Sequence, residues 1–142
     1  MSSMREESAT LCDLIIETDD NVLIRTRRLS RAVTGIYDVK LRPFGISAVQ
    51  FSLLEMIGRM EPTTRAALAR KQELDKSTLT RDLKSIFLEG WVEEVREQAN
   101  GRSRPIALTK SGKQLLADAE SAWLDAQNEV KLLLRKQGFI AE

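Results

Sequence analysis

Apolar residues at Leu11, Leu14, Ile15, Val22, Leu29, Ala32, Val33 and Ile36 recur at spacings that lay one stripe along a helix. They predict one long helix, or two joined near residues 19–21, ending around Lys40, because Pro43 biases Arg42 away from helical backbone. Residues 1–10 are polar and read as a flexible tail. Local chemistry marks the next helix. Ser47 with Gln50 three residues on makes a capping box, and Ile46 and Phe51 stand at the two positions of a hydrophobic staple. This helix turns Phe51, Leu54 and Ile57 inward and stops before Pro62. Thr64 is suited to cap a helix over 65–71, with Ala67 and Leu68 inward, and Asp75 to cap one over 76–88. In the latter, Leu79, Leu83, Ile86 and Phe87 form the buried stripe and Gly90 stands where a C-terminal cap belongs. Residues 91–96 read as a strand, Asn100-Gly101 as a tight turn and residues 106–108 as the returning strand. Thr109 caps the last helix, and Gly112 lets it pack closely. From Leu116 through Ala119, Trp123, Ala126, Val130 and Leu133 to Gln137 the steps alternate between three and four, a heptad-like seam suited to a partner helix.

The resulting fold class is mainly α with a small β-wing. Its centre, residues 46–109, reads as helix, turn, helix and two-stranded wing. That order lets one helix enter a DNA major groove while a basic loop reaches alongside. The helix over 76–88 carries Ser77, Thr78, Thr80, Arg81 and Lys84 on its polar face. Three hydroxyl residues in two turns are poor helix formers, yet they suit phosphate oxygens and base edges, and Arg81 can bond guanine through two parallel contacts. Arg102 and Arg104 flank the wing tip, suited to phosphates or a minor groove.

Composition narrows the function classes. A chain of 142 residues is one domain's worth, and no apolar run approaches the ~18 residues of a membrane span. The first residues lack the pattern of a secretory signal, so a cytoplasmic location is expected, without a membrane partner. One cysteine (Cys12) and no histidine exclude an internal disulfide, a thiol-based zinc site and any histidine-containing hydrolytic triad. The chain is therefore not expected to be an enzyme or to carry a metal or cofactor. Acidic neighbours Asp13 and Glu17 argue against a reactive Cys12 thiol. Net charge is only +1, but it is unevenly spread. Anions outnumber cations at both ends, whereas residues 25–42 and 63–113 are basic, as suits a middle that faces phosphates.

The ordered motifs Tyr37-Asp38, residues 41–46 (Leu-Arg-Pro-Phe-Gly-Ile), residues 50–54 (Gln-Phe-Ser-Leu-Leu), Leu68-Ala69, residues 74–83, residues 89–92 (Glu-Gly-Trp-Val), residues 101–104 (Gly-Arg-Ser-Arg) and residues 108–112 resemble the MarR family of winged helix-turn-helix transcription regulators. The resemblance spans about residues 25–137. It implies a homodimer joined through flanking helices, here 11–42 and 110–142, whose two winged parts read a pseudo-palindromic operator on double-stranded DNA. It implies repression, and release by a small aromatic effector. The candidate DNA-binding set is then Thr64, Lys76, Ser77, Thr78, Thr80, Arg81, Lys84, Arg102 and Arg104, and Tyr37, Phe44, Phe51 and Trp123 are candidate effector-pocket residues or, alternatively, core packing. Near-neutral charge keeps a second reading open, a winged-helix protein-interaction module without DNA binding.

Overall fold

A computed structural model describes residues 21–72, 76–95 and 104–141. Contacts divide the chain into two units, one formed by residues up to Gly45 together with Ser121 onward, the other by Ile46–Glu120.

In the first unit, helix α1 (Val22–Leu41) starts at Asn21, whose Oδ1 accepts from the Ile24 N–H at 3.1 Å. The described helix thus begins at the 19–21 junction that the sequence offered as the alternative to one continuous helix; what precedes it, including Cys12, lies outside the described residues. Pro43 stands in a one-turn 3-10 helix (Arg42–Phe44) that ends at Gly45, where φ is +71°. Leu29 and Ala32 of α1 are buried with Leu133 of the last helix, α5 (Lys110–Lys136), and Val33, Ile36 and Leu134 pack around them. The heptad-like seam therefore turns inward at Leu133, against α1 of the same chain.

In the second unit, α2 (Ala48–Met60), α3 (Arg65–Gln72), α4 (Lys76–Leu88), β1 (Val92–Glu94) and β2 (Ile106–Leu108) enclose Leu53, Leu54, Ile57, Leu68, Leu83, Ile86 and Ile106, all fully buried. The start of α5, to Glu120, belongs to this unit. Ser47 and Gln50 close the expected capping box: Ser47 Oγ accepts from the Gln50 N–H at 3.1 Å and Gln50 Oε1 from the Ser47 N–H at 3.0 Å. Ile46 and Phe51, the expected staple pair, are both buried. β1 and β2 are antiparallel with Val92 opposite Leu108, and Thr63 extends the pairing through two backbone bonds with Ile106.

Of the strand expected over 91–96, Val92–Glu94 form β1, and Arg96 lies outside the described residues. Trp91 is excluded because its N–H donates to the Ile86 carbonyl and the Gly90 N–H to that of Phe87, closing the end of α4 with Gly90 at φ +77°. A donor used to cap a helix is lost to the sheet. Thr109 then ties the next helix back: its hydroxyl donates to the Gly90 carbonyl at 2.7 Å and accepts from the Gly112 N–H at 3.1 Å. Gly112 is buried against the Trp91 backbone, where a Cβ would collide with the carbonyl oxygen. Among the described residues no helix is long and apolar enough to cross a membrane.

Candidate nucleic-acid interface

Helix α4 presents two unlike faces. Leu79, Leu83 and Ile86 are buried, which turns Ser77, Thr80, Arg81 and Lys84 outward, with Thr78 half-buried at the boundary. Lys76 opens the helix. The helix is fixed from behind by a polar tie, since Gln50 Nε2 donates to Ser85 Oγ at 3.2 Å and that hydroxyl donates to the Asp82 carbonyl. Burial of the apolar stripe and this tie leave a rigid rod whose outer side offers hydroxyls and two cations.

Thr64 is half-buried, and its Oγ1 accepts from the Ala67 N–H at 3.1 Å. It therefore starts α3, the role its position also suggested, and presents Arg65 immediately after. Arg65, Thr80, Leu83, Lys84, Phe87, Glu93 and Glu94 line an open groove of about 610 Å3 between α4 and the strands. The Arg65 guanidinium lies 5.5 Å from the centre of the Phe87 ring, and its Nη1 is 3.8 Å from Glu94 Oε1. The other Glu94 oxygen, Oε2, accepts from Arg104 Nη1 at 3.2 Å. One carboxylate thus meets two guanidinium groups, one from the head of α3 and one from the base of the wing. Arg102 and the Asn100-Gly101 turn lie outside the described residues.

Arg65 and Glu94 were absent from the sequence-derived set. For Glu94 the sequence offered only strand alternation, which puts it on the same side as buried Val92 although the position itself is exposed. Arg65 carries no comparable mark, because its environment depends on Phe87 and Glu94, distant in sequence.

Of the four aromatic candidates, Tyr37 and Trp123 meet, with ring centres 4.3 Å apart and planes tilted by 34°. Phe44 is half-buried in the same unit, whereas Phe51 is buried in the core of the other. Among the described residues no cluster of three or more His, Cys, Asp or Glu is placed to hold a metal ion.

Comparison with known proteins converges on one family. The MarR family model matches residues 44–103. The HTH-type transcriptional regulator YdgG of Bacillus subtilis (strain 168) is 32% identical over 83 residues, which make up 57% of this chain and 55% of that protein. The chain thus spans about half the length of the curated relatives it matches. The crystal structure of the M. tuberculosis transcriptional regulator MosR in complex with DNA superimposes with a TM-score of 0.70 at 33% identity, covering 80% of this chain and 82% of that one. A Mycobacterium tuberculosis MarR family protein, Rv2887, in complex with salicylic acid gives a TM-score of 0.61 at 25% identity, covering 80% and 84%.

Proposed function

Because the chain belongs to the MarR family of transcriptional regulators, we propose that it is a sequence-specific DNA-binding regulator, a repressor that acts as a homodimer on a pseudo-palindromic operator. The outer face of α4 carries this reading: Ser77, Thr80, Arg81 and Lys84 are exposed on a helix whose opposite face is locked into the core. With α4 in the major groove, the hydroxyls serve phosphates and base edges, and Arg81 bonds guanine. Lys76 and Thr78 extend that contact, and Thr64 places the head of α3 near the backbone. Arg104 and Arg102 would reach phosphates beside the helix, contacts that position the protein on the duplex without reading base identity. MosR, solved on DNA, supports the same use of the fold here.

Two-fold association fits the helical unit. Val22, Leu23, Leu124, Leu132, Phe139 and Ile140 are exposed apolar side chains there. The Gln137 amide is buried without a hydrogen-bond partner among the described residues. A second copy would cover the first set and supply partners to the second. The two winged units would then read half-sites about one helical turn of DNA apart. The adjacent, tilted Tyr37 and Trp123 rings would form an aromatic wall for a small aromatic acid, and the salicylate complex of the Rv2887 protein supports that effector class. A regulator of this kind works in the cytoplasm.

Fluorescence anisotropy with the intergenic duplex beside its own gene tests the proposal. Expected are saturable binding that weakens steeply with salt, and a loss of sequence preference in Arg81→Ala. Flat salt dependence and indifference to sequence would overturn it in favour of a protein-interaction module.

A further inference from the structure

The groove beside α4 holds a negative charge where phosphates are expected to approach. Glu94 is one-third exposed, with a side-chain accessibility of 33%, and stands between Arg65 at 50% and Arg104 at 80%. Thr80 and Lys84, on the outer face of α4, line the same groove. Any duplex seated on that face therefore meets two guanidinium groups already engaged by one carboxylate. Resting on the DNA-binding reading above, we infer that Glu94 is a specificity-determining residue, which pairs Arg65 and Arg104 so as to withhold positive charge from DNA at large while holding both side chains in register for the operator.

The two effects of the carboxylate act on different complexes. Affinity for arbitrary DNA comes almost wholly from cations that displace condensed counterions from phosphates. A carboxylate bound to two of those cations removes part of that attraction from every duplex alike. Ordering of the arginines counts only where base contacts hold α4 in a single register, because a complex that slides along the backbone has no fixed phosphate positions to match. Arg65 is constrained from two sides, by the Phe87 ring below and by Glu94. Arg104 meets Glu94 at 3.2 Å, and its greater exposure leaves it more dependent on that carboxylate for its orientation. Loss of the carboxylate should strengthen loose binding and leave tight binding with a smaller gain, so the ratio between them falls.

The test compares the parent chain with Glu94→Gln and Glu94→Asp on two probes: a duplex of scrambled sequence, and the preferred site selected from a random duplex pool. For Glu94→Gln, affinity for the scrambled duplex should rise roughly 5–10-fold near 0.1 M salt, with the salt dependence steeper by about one unit, as expected when one more cation becomes available to phosphates. The preferred site should gain less, so discrimination drops. Glu94→Asp, which keeps the charge, should stay close to the parent on the scrambled duplex. In an Arg65→Ala/Arg104→Ala background the Gln substitution should lose most of its effect, which separates charge pairing from a change in folding. Unchanged or weaker scrambled-duplex binding by Glu94→Gln, with the parent binding normally, would overturn the role of Glu94 alone. Failure of the parent to bind either duplex would overturn the DNA-binding reading and this inference with it.

Discussion

The Gln50 side chain on α2 donates from Nε2 to Ser85 Oγ on α4, at 3.2 Å, while its oxygen accepts from the Ser47 N–H at 3.0 Å. One amide therefore closes the start of one helix and holds the next in place. Gln50→Ala should lower the unfolding free energy by about 1–2 kcal/mol, from a lost cap and a lost tie in a half-buried site. Gln50→Glu keeps an acceptor for Ser47 and loses the donor to Ser85, so it should cost less stability and still weaken DNA binding through the position of α4. Urea unfolding alongside DNA titration checks both, and equal stability losses for the two variants would argue against the divided role.

Two glycines should respond with opposite signs. At Gly112 a methyl group would collide with the Trp91 carbonyl oxygen, and backbone cannot yield as a flexible side chain does. Gly112→Ala should destabilise by about 1–3 kcal/mol. At Gly35, inside α1, nothing lies within 4 Å of an added Cβ. Gly35→Ala should stabilise by roughly 0.5–1 kcal/mol, the helix-propensity difference. Thermal denaturation of both variants gives the signs directly, and a stabilising Gly112→Ala would contradict the close approach.

Neighbouring leucines near the end of α5 have separate roles. Leu133 is buried with Leu29 and Ala32, so Leu133→Ala should cost the protomer about 2–5 kcal/mol. Leu132 is exposed. In the homodimer proposed here, Leu132→Ala should weaken self-association while leaving a folded protomer. Analytical ultracentrifugation and circular dichroism distinguish the cases, and a Leu132→Ala protein that keeps its mass at low concentration would place the dimer contact elsewhere.

Charged residues on the DNA face should divide by function. Arg81→Ala should cost about 1–3 kcal/mol on the preferred site and far less on other duplexes, as loss of a base contact does. Arg104→Ala should weaken the preferred site and reduce its salt slope by about one unit, with a smaller effect on a scrambled duplex, from which Glu94 already withholds that charge. Competition titrations at several salt concentrations measure both. A uniform loss from Arg81→Ala would move that residue to the phosphate class.

Local features were legible in advance because their causes are local. Ser47 and Gln50 lie three residues apart, so their capping box follows from backbone geometry alone, as does the Thr64 cap. The apolar stripe Leu79, Leu83 and Ile86 identified the buried face of α4, and the outer face followed by subtraction. Trp91 was misplaced in the strand because aromatic content favours strands, whereas its N–H was already committed to closing α4.

The chain's own pattern settled the order of elements, the caps and the polar side of α4, since each depends on residues a few positions apart. Folding in three dimensions decided which helix takes up the heptad-like stripe at Leu133, and it brought Arg65, Phe87, Glu94 and Arg104 to one groove. Periodicity reports that a side chain will be covered or charged, but the identity of its neighbour depends on packing between elements distant along the chain.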